Sequence, residues 1–232
     1  MTASPGCAAI SVPKRMVRLT VSWMPTNIPH DPYAELPKTL TRAGSRYCRM
    51  DLAKHIERRT QQLVIFNEPD MWDIDRVKLV AKHFVDPGPT YDCHLPIFGV
   101  DTKTGEEVQN LEFGRELEFF RTHRAVLVSP GDHSTGPRYK LILDDRTLTL
   151  TESLDGKSPA AIELSYGDRL QRINYLEWND HLAFDPAVFS APHGLRIEQG
   201  RIDWTGWDFI EAVVARIAPR LMGRLGTWKE IR

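Results

Sequence analysis

The amino-acid sequence predicts an α+β protein, with a mixed α/β arrangement as the alternative. The expected molecule is one globular domain with a central mixed sheet, an antiparallel meander in its second half and a C-terminal amphipathic helix. Three observations carry this expectation. Helical and strand periodicities mix in the first half, and short period-two segments cluster in the second half. The last apolar series, Ile210, Val213, Val214, Ile217 and Leu221, recurs at helical spacing. A chain of 232 residues, 41% hydrophobic and 26% charged, suits a single domain over 1–232 with 139–204 as a β-rich subdomain, and it excludes disordered, collagen-like and coiled-coil classes.

In chain order, Val17, Leu19, Val21 and Trp23 alternate with Arg18, Thr20 and Ser22, the pattern of a half-buried strand. Pro25, Pro29, Pro32 and Pro37 then impose a long connection up to about Thr39. From Ser45 to about Gln62 a helix is expected, because Cys48, Leu52 and Ile56 are spaced by four. Leu63 to Phe66 reads as a short buried strand. A second helix is expected from about Asp70 to Phe84, with Asp73 and Asp75 early and Lys78, Lys82 and His83 late, as the helix dipole favours. The run Asp86-Pro87-Gly88-Pro89 ends it.

Leu95 to Val100 reads as a strand, Thr104-Gly105 as a turn, Leu111 to about Arg121 as a helix and Ala125 to Ser129 as a buried strand. Between Tyr139 and Tyr166, the pairs Leu141 and Leu143, Leu148 and Leu150, and Ile162 and Leu164 alternate with polar residues across turns at Asp144-Asp145-Arg146 and Asp155-Gly156-Lys157-Ser158. Leu195 to Trp204 reads as a hairpin turning at Gln199-Gly200. Thr205 can cap the closing helix, which Pro219 should kink.

Apolar runs such as Leu63–Phe66 and Ala125–Val128 are far short of the ~20 residues that span a bilayer, so no membrane association is expected. Met1 to Met16 lacks a basic segment followed by an apolar one, and Cys7 has no hydrophobic stretch before it. Three cysteines, Cys7, Cys48 and Cys93, do not make a disulfide framework, which points to the reducing cytoplasm. The net charge of -1 conceals a polarity: residues 1–62 carry +6 and residues 63–232 carry -7. A basic N-terminal third can face a polyanion or dock on the acidic remainder of its own domain.

Four constellations could carry chemistry. Asp92, Asp101 and Lys103 suit a Mg2+-dependent nuclease, in which Asp92 and Asp101 hold the metal and Lys103 orients the attacking water. Two acid-x-Lys matches occur, at Asp101 and Asp155, where about one is expected by chance, and Asp101 to Gly105 also reads as a polar turn. Asp132, His133 and Ser134 lie in a Gly- and Pro-rich loop that could present a base and a nucleophile, or form only a turn. Cys93-His94 with Cys48 and His83 lacks zinc-site spacing and reads as buried thiols and a satisfied histidine. Arg42, Arg46 and Arg49, and Arg216, Arg220 and Arg224, would each line one helical face and could track phosphates.

These features predict a protein that interacts with DNA or RNA, and a nuclease if a second carboxylate joins Asp101. The alternative is a non-catalytic protein-binding module, such as an adaptor or a toxin-neutralising protein. A small-molecule enzyme using the 131–136 loop comes third.

Overall fold

Val17, Leu19, Val21 and Trp23 do alternate along a strand, β1 (Arg15–Trp23), and that strand is the seam of the whole sheet. The computed structural model describes residues 12–24, 35–56, 59–86, 95–98 and 106–201. After β1 come β2 (Lys38–Ala43), β3 (Tyr47–Leu52), β4 (Gln62–Asn67), β5 (Asp70–Asp75) and β6 (Val80–Val85), each antiparallel to the one before. Two short helices follow, α1 (Glu106–Gln109) and α2 (Glu116–Thr122). A second antiparallel series comprises β7 (Val126–Ser129), β8 (Arg138–Leu143), β9 (Arg146–Glu152), β10 (Pro159–Tyr166) and β11 (Arg169–Ala183).

Strand β1 joins the two series by pairing antiparallel with β2, Leu19 opposite Leu40, and with β11, Leu19 opposite Trp178. The last strand, β12 (Arg196–Gln199), lies parallel to β6. The result is one twelve-stranded sheet in the order β12-β6-β5-β4-β3-β2-β1-β11-β10-β9-β8-β7. The α+β expectation is therefore overturned: the described chain is mostly β. The expected C-terminal helix falls beyond Arg201, outside the described residues.

Neither expected helix before residue 85 is present, since 45–62 holds strand β3 and reaches β4 while 70–84 holds the β5–β6 pair, and the reason is arithmetic. A spacing of four fits a helical turn, but it is also two periods of a strand. Cys48, Met50 and Leu52 are buried while Tyr47, Arg49 and Asp51 are half-exposed, which is period two, and Ile56, the third residue of the supposed stripe, is 82% exposed. Between Asp70 and Phe84 the helix gives way to a hairpin whose turn contains no Gly or Pro. Asp75 accepts hydrogen bonds from the backbone N–H of Val77 and Lys78, at 3.0 and 3.2 Å, and Leu79 takes the left-handed conformation at φ 55°. The acids and lysines that resembled dipole charges thus build a turn.

Burial explains why β4 shows no alternation. Val64 and Phe66 face one hydrophobic cluster, whereas Leu63 and Ile65 face another on the opposite side of the sheet. The smaller cluster is closed by a 3-10 turn, Pro186–Phe189, whose Phe189 is fully buried near Ala43, Ile65 and Ala81. The larger cluster spans both series, taking in Leu19, Met50, Leu148, Ile162 and Ile173. Over it lies a plug formed by residues 95–98 and 106–122, which contributes Ile97, Phe98, Leu111, Phe113 and Phe120.

Within the plug, Leu95–Phe98 is not a sheet strand as expected; it pairs with the chain around Glu112, through Ile97 N–H to Leu111 O and Phe113 N–H to Leu95 O. The expected helix from Leu111 begins only at Glu116. The meander between Tyr139 and Tyr166 is present as β8 to β10. Of the hairpin expected from Leu195 to Trp204, the first arm is present as β12, with Gly200 N–H donating to His83 O at 2.6 Å, and the return arm falls outside the described residues. No described helix is long and apolar enough to cross a membrane.

The β5–β6 turn gives a test by sign. Leu79 is exposed and holds a positive φ, so Leu79→Gly should raise the unfolding free energy by up to about 1 kcal/mol through relief of left-handed strain. A helix over 70–84 would instead lose about 1 kcal/mol on the same substitution. Chemical denaturation of the two proteins distinguishes these outcomes.

Candidate protein-docking edge

The plug is held by two buried polar links. Arg42 on β2 bonds Glu112 through one guanidinium nitrogen, which also reaches Phe113 O at 3.2 Å, while its Nε donates to Gly44 O at 3.0 Å. Arg115 holds the other Glu112 oxygen at 3.2 Å. Removing one partner of such a pair leaves an uncompensated charge and costs roughly 3–5 kcal/mol. Between Glu112 and α2 the chain turns at Gly114, where φ is +84° and an added Cβ would lie 2.7 Å from Val17 Cγ1. Only glycine meets both conditions.

The second link is Tyr175 on β11, whose hydroxyl donates to Glu116 Oε1 at 2.7 Å. Glu116 is fully buried at the start of α2, and its Oε2 has no hydrogen-bond partner among the described residues. Burial raises its pKa to about 7, against the lowering influence of the Tyr175 hydrogen bond, the Gly114 backbone and the Arg42 charge. Tyr175 is pushed well above 10 by its own burial and by the neighbouring carboxyl. A carboxyl poised near neutrality is suited to acid–base chemistry, but Glu116 lines neither the groove beside α2 nor the one along Trp72 and residues 191–195. Its evident role is to tie α2 to the sheet.

That tie sets the far end of the molecule. His123 closes α2 with Nδ1 2.9 Å from Phe119 O, Arg124 turns the chain at φ 54°, and Ala125 N–H donates to Phe120 O. The chain then enters β7, the terminal strand of the sheet, which among the described residues pairs only with β8. The sequence predicted a buried strand here, and the structure corrects this: Val126, Leu127 and Val128 are 66, 51 and 54% exposed, and Ile142 on β8 is 63% exposed. Leu127 lies opposite Tyr139, on the plug side, and Val126 lies opposite Lys140, on the other face.

Beside this edge, on the plug side, is a groove of about 290 Å3. Leu117, Phe120, Tyr139 and Leu150 supply its apolar lining, with Arg121, Arg124 and Glu152 at its polar positions. Glu152 is largely buried; desolvation raises its pKa and the Arg121 charge lowers it. The opposite edge of the sheet is different in kind. In β12, Arg196 and Glu198 pair at 2.8 Å and only Ile197 is a large exposed apolar residue.

The residues singled out in sequence do not assemble into one site. Arg42, Arg46 and Arg49 lie on β2, in the following turn and on β3, so they form no helical stripe. Arg42 meets Glu112, Arg46 lies 3.9 Å from Glu68, and Arg49 bonds Asp51 at 2.8 Å and Val188 O at 2.9 Å on the opposite face of the sheet from Arg42. Asp92, Asp101, Lys103, Arg216, Arg220, Arg224, Cys93 and His94 lie outside the described residues.

In the 131–136 loop, Asp132 Oδ1 accepts from Ser134 N–H, Ser134 Oγ and Thr135 N–H at 2.7 to 2.8 Å. These bonds lower the Asp132 pKa and bind Ser134 to the aspartate within one exposed turn, with no relay through His133. Cys48 is a buried free thiol, His83 bonds Asp70 at 2.6 Å and stacks on Trp72, and no group of three potential metal ligands occurs among the described residues.

Glu112, Glu116, Tyr175 and the exposed edge are absent from the sequence reading. Arg42 and Glu112 are 70 residues apart and Glu116 and Tyr175 are 59 apart, so no local spacing announces either pair.

Glu116 makes stability depend on pH. With its ordinary value at 4.5 and its folded value near 7, the folded protein keeps a proton that the unfolded chain has released between those limits. Stability should therefore be greatest below pH 4.5, as far as this group is concerned, and fall by roughly 3 kcal/mol as pH rises through 7. Glu116→Gln keeps an acceptor for Tyr175 and should flatten that fall in denaturant titrations; an unchanged slope would contradict the assignment.

No protein-family model matches the chain, and no curated protein matches its sequence. Among solved structures, an uncharacterized conserved protein from Thermus thermophilus is similar at 9% identity and a TM-score of 0.41, over 81% of this chain and 91% of that one.

Proposed function

We propose that this chain is a non-catalytic protein-binding module that takes an extended segment of a partner protein as an added strand along β7. The observation that carries the reading is the run Val126-Leu127-Val128, more than half exposed on a sheet edge that has no strand partner among the described residues, beside an exposed Ile142. An edge strand presents unpaired N–H and C=O groups, and soluble proteins usually blunt such edges with charge. The β12 edge is blunted in that way, by Arg196 and Glu198. At β7 the strand itself carries no charge, so backbone hydrogen bonding and apolar contact are both on offer to a partner strand.

The expectation of a DNA- or RNA-binding protein, conditionally a Mg2+-dependent nuclease, ranks below this reading. Arg42 and Arg49 bond acidic residues of their own chain, and Arg46 lies 3.9 Å from Glu68, so the three do not stand as a free basic stripe. The cytoplasm remains the proposed setting, on the cysteine usage.

Selection of peptides from a displayed random library on the purified chain tests the reading. The selected peptides should bind with affinity at least tenfold weaker to Leu127→Lys, whose melting should match the parent because the position is exposed. Peptides that bind both proteins equally, or a chain that selects none and binds labelled oligonucleotides instead, would overturn it.

A further inference from the structure

We infer that the β7 edge is built for an acidic segment: an extended stretch of partner protein that places a large apolar side chain in the α2 groove and carboxylates against Arg124 and Lys140. This rests on the strand-addition reading and specifies the chemistry of the partner.

Successive residues of a strand point to opposite faces, so every second residue of the bound segment lies on the plug side and the rest lie on the outer side. On the plug side the segment meets Leu127 and then the groove, whose lining is the apolar surface of Leu117, Phe120, Tyr139 and Leu150. At about 290 Å3, this space accommodates a Leu-, Met- or Phe-sized group.

Charge then selects among apolar segments. Arg121 and Arg124 border the groove, and Lys140 stands opposite Val126 on the outer face. Arg121 is partly answered by Glu152, and the nearby Arg138 by Glu163 at 3.5 Å. Arg124 and Lys140 are exposed and have no ion pair among the described residues. The edge is therefore bounded by unanswered positive charge on both faces, while its own strand is neutral. A segment with a carboxylate two residues from its apolar anchor would bring both onto the plug side, the anchor into the groove and the carboxylate toward Arg124. A carboxylate at an intervening position would meet Lys140. A basic segment would place like charges together, which suppresses the wrong partner as effectively as contacts favour the right one.

Three synthetic peptides test the inference, each an alternating β-forming segment labelled with a fluorophore. One carries a Leu anchor with Glu two residues away and at an intervening position, one replaces both Glu by Lys, and one replaces the anchor by Gly. Anisotropy titrations at low and at physiological salt should rank the acidic peptide at least tenfold tighter than the other two, with a preference that narrows as salt rises. Arg124→Glu and Lys140→Glu should each abolish the preference for the acidic over the basic peptide, and Leu127→Lys should weaken all three.

If acidic and basic peptides bind equally and both are lost in Leu127→Lys, strand addition stands and the charge inference is overturned. If binding of every peptide is indifferent to Leu127→Lys, the strand-addition reading itself is overturned, and this inference with it. A concentration-dependent dimer that Leu127→Lys abolishes would make the occupant a second copy of the chain, and would likewise overturn it. Binding of an oligonucleotide in place of the acidic peptide, lost in Arg124→Glu, would assign the same charge to phosphate and overturn it too.

Discussion

The attachment of the plug to the sheet is the constraint on which the rest of the molecule depends. Arg42 and Glu112 fasten its first part to β2, and Tyr175 and Glu116 fasten α2 to β11, so both series of strands are tied to the same short segment. Each link is buried, and each would cost far more to half-remove than to leave intact. Gly114 allows the two links to lie so close, because nothing larger fits between Val17 and the plug backbone. Without this cover, Leu19, Met50, Leu148, Ile162 and Ile173 would share a large apolar face open to water.

The position of β7 follows from the same attachment. Strand β7 begins four residues after α2 ends, and the Ala125 N–H bond to Phe120 O leaves little freedom in that step. The last strand of the second series therefore sits beside the end of α2, where helix and sheet diverge and leave the groove. Its exposure is a consequence of sheet order: among the described residues β7 has a neighbour on one side only, and the plug covers strands nearer the seam. An uncovered sheet edge is ordinary when it is charged, as β12 is, and invites pairing when it is apolar, as β7 is.

The sequence disclosed the strands whose two faces differ. Strand β1 and strands β8 and β9 of the meander alternate because one side meets the larger cluster and the other meets water. It concealed those whose faces are alike or whose spacing serves two periods. Both sides of β4 are buried; Cys48 and Leu52 fit a helix turn as well as two strand periods; and the β5–β6 turn uses Asp75 in place of Gly. Of the candidate residues, Arg42 is buried against Glu112, and Asp132 accepts from Ser134 and Thr135 within one exposed turn. The exposed edge was invisible, because Ala125 to Val128 reads as buried until the strand order is known. Apolar composition identifies a strand and does not tell whether a neighbour covers it.

Amide hydrogen exchange along β7, measured on the free chain and on the chain bound to a selected peptide, tests the account most directly. In the free protein the β7 amides should exchange far faster than those of β10 and β11, and binding should protect β7 while leaving β12 unchanged. Protection of β7 already at core levels in the free chain, or a bound peptide that leaves β7 exchange unaltered, would contradict strand addition at this edge.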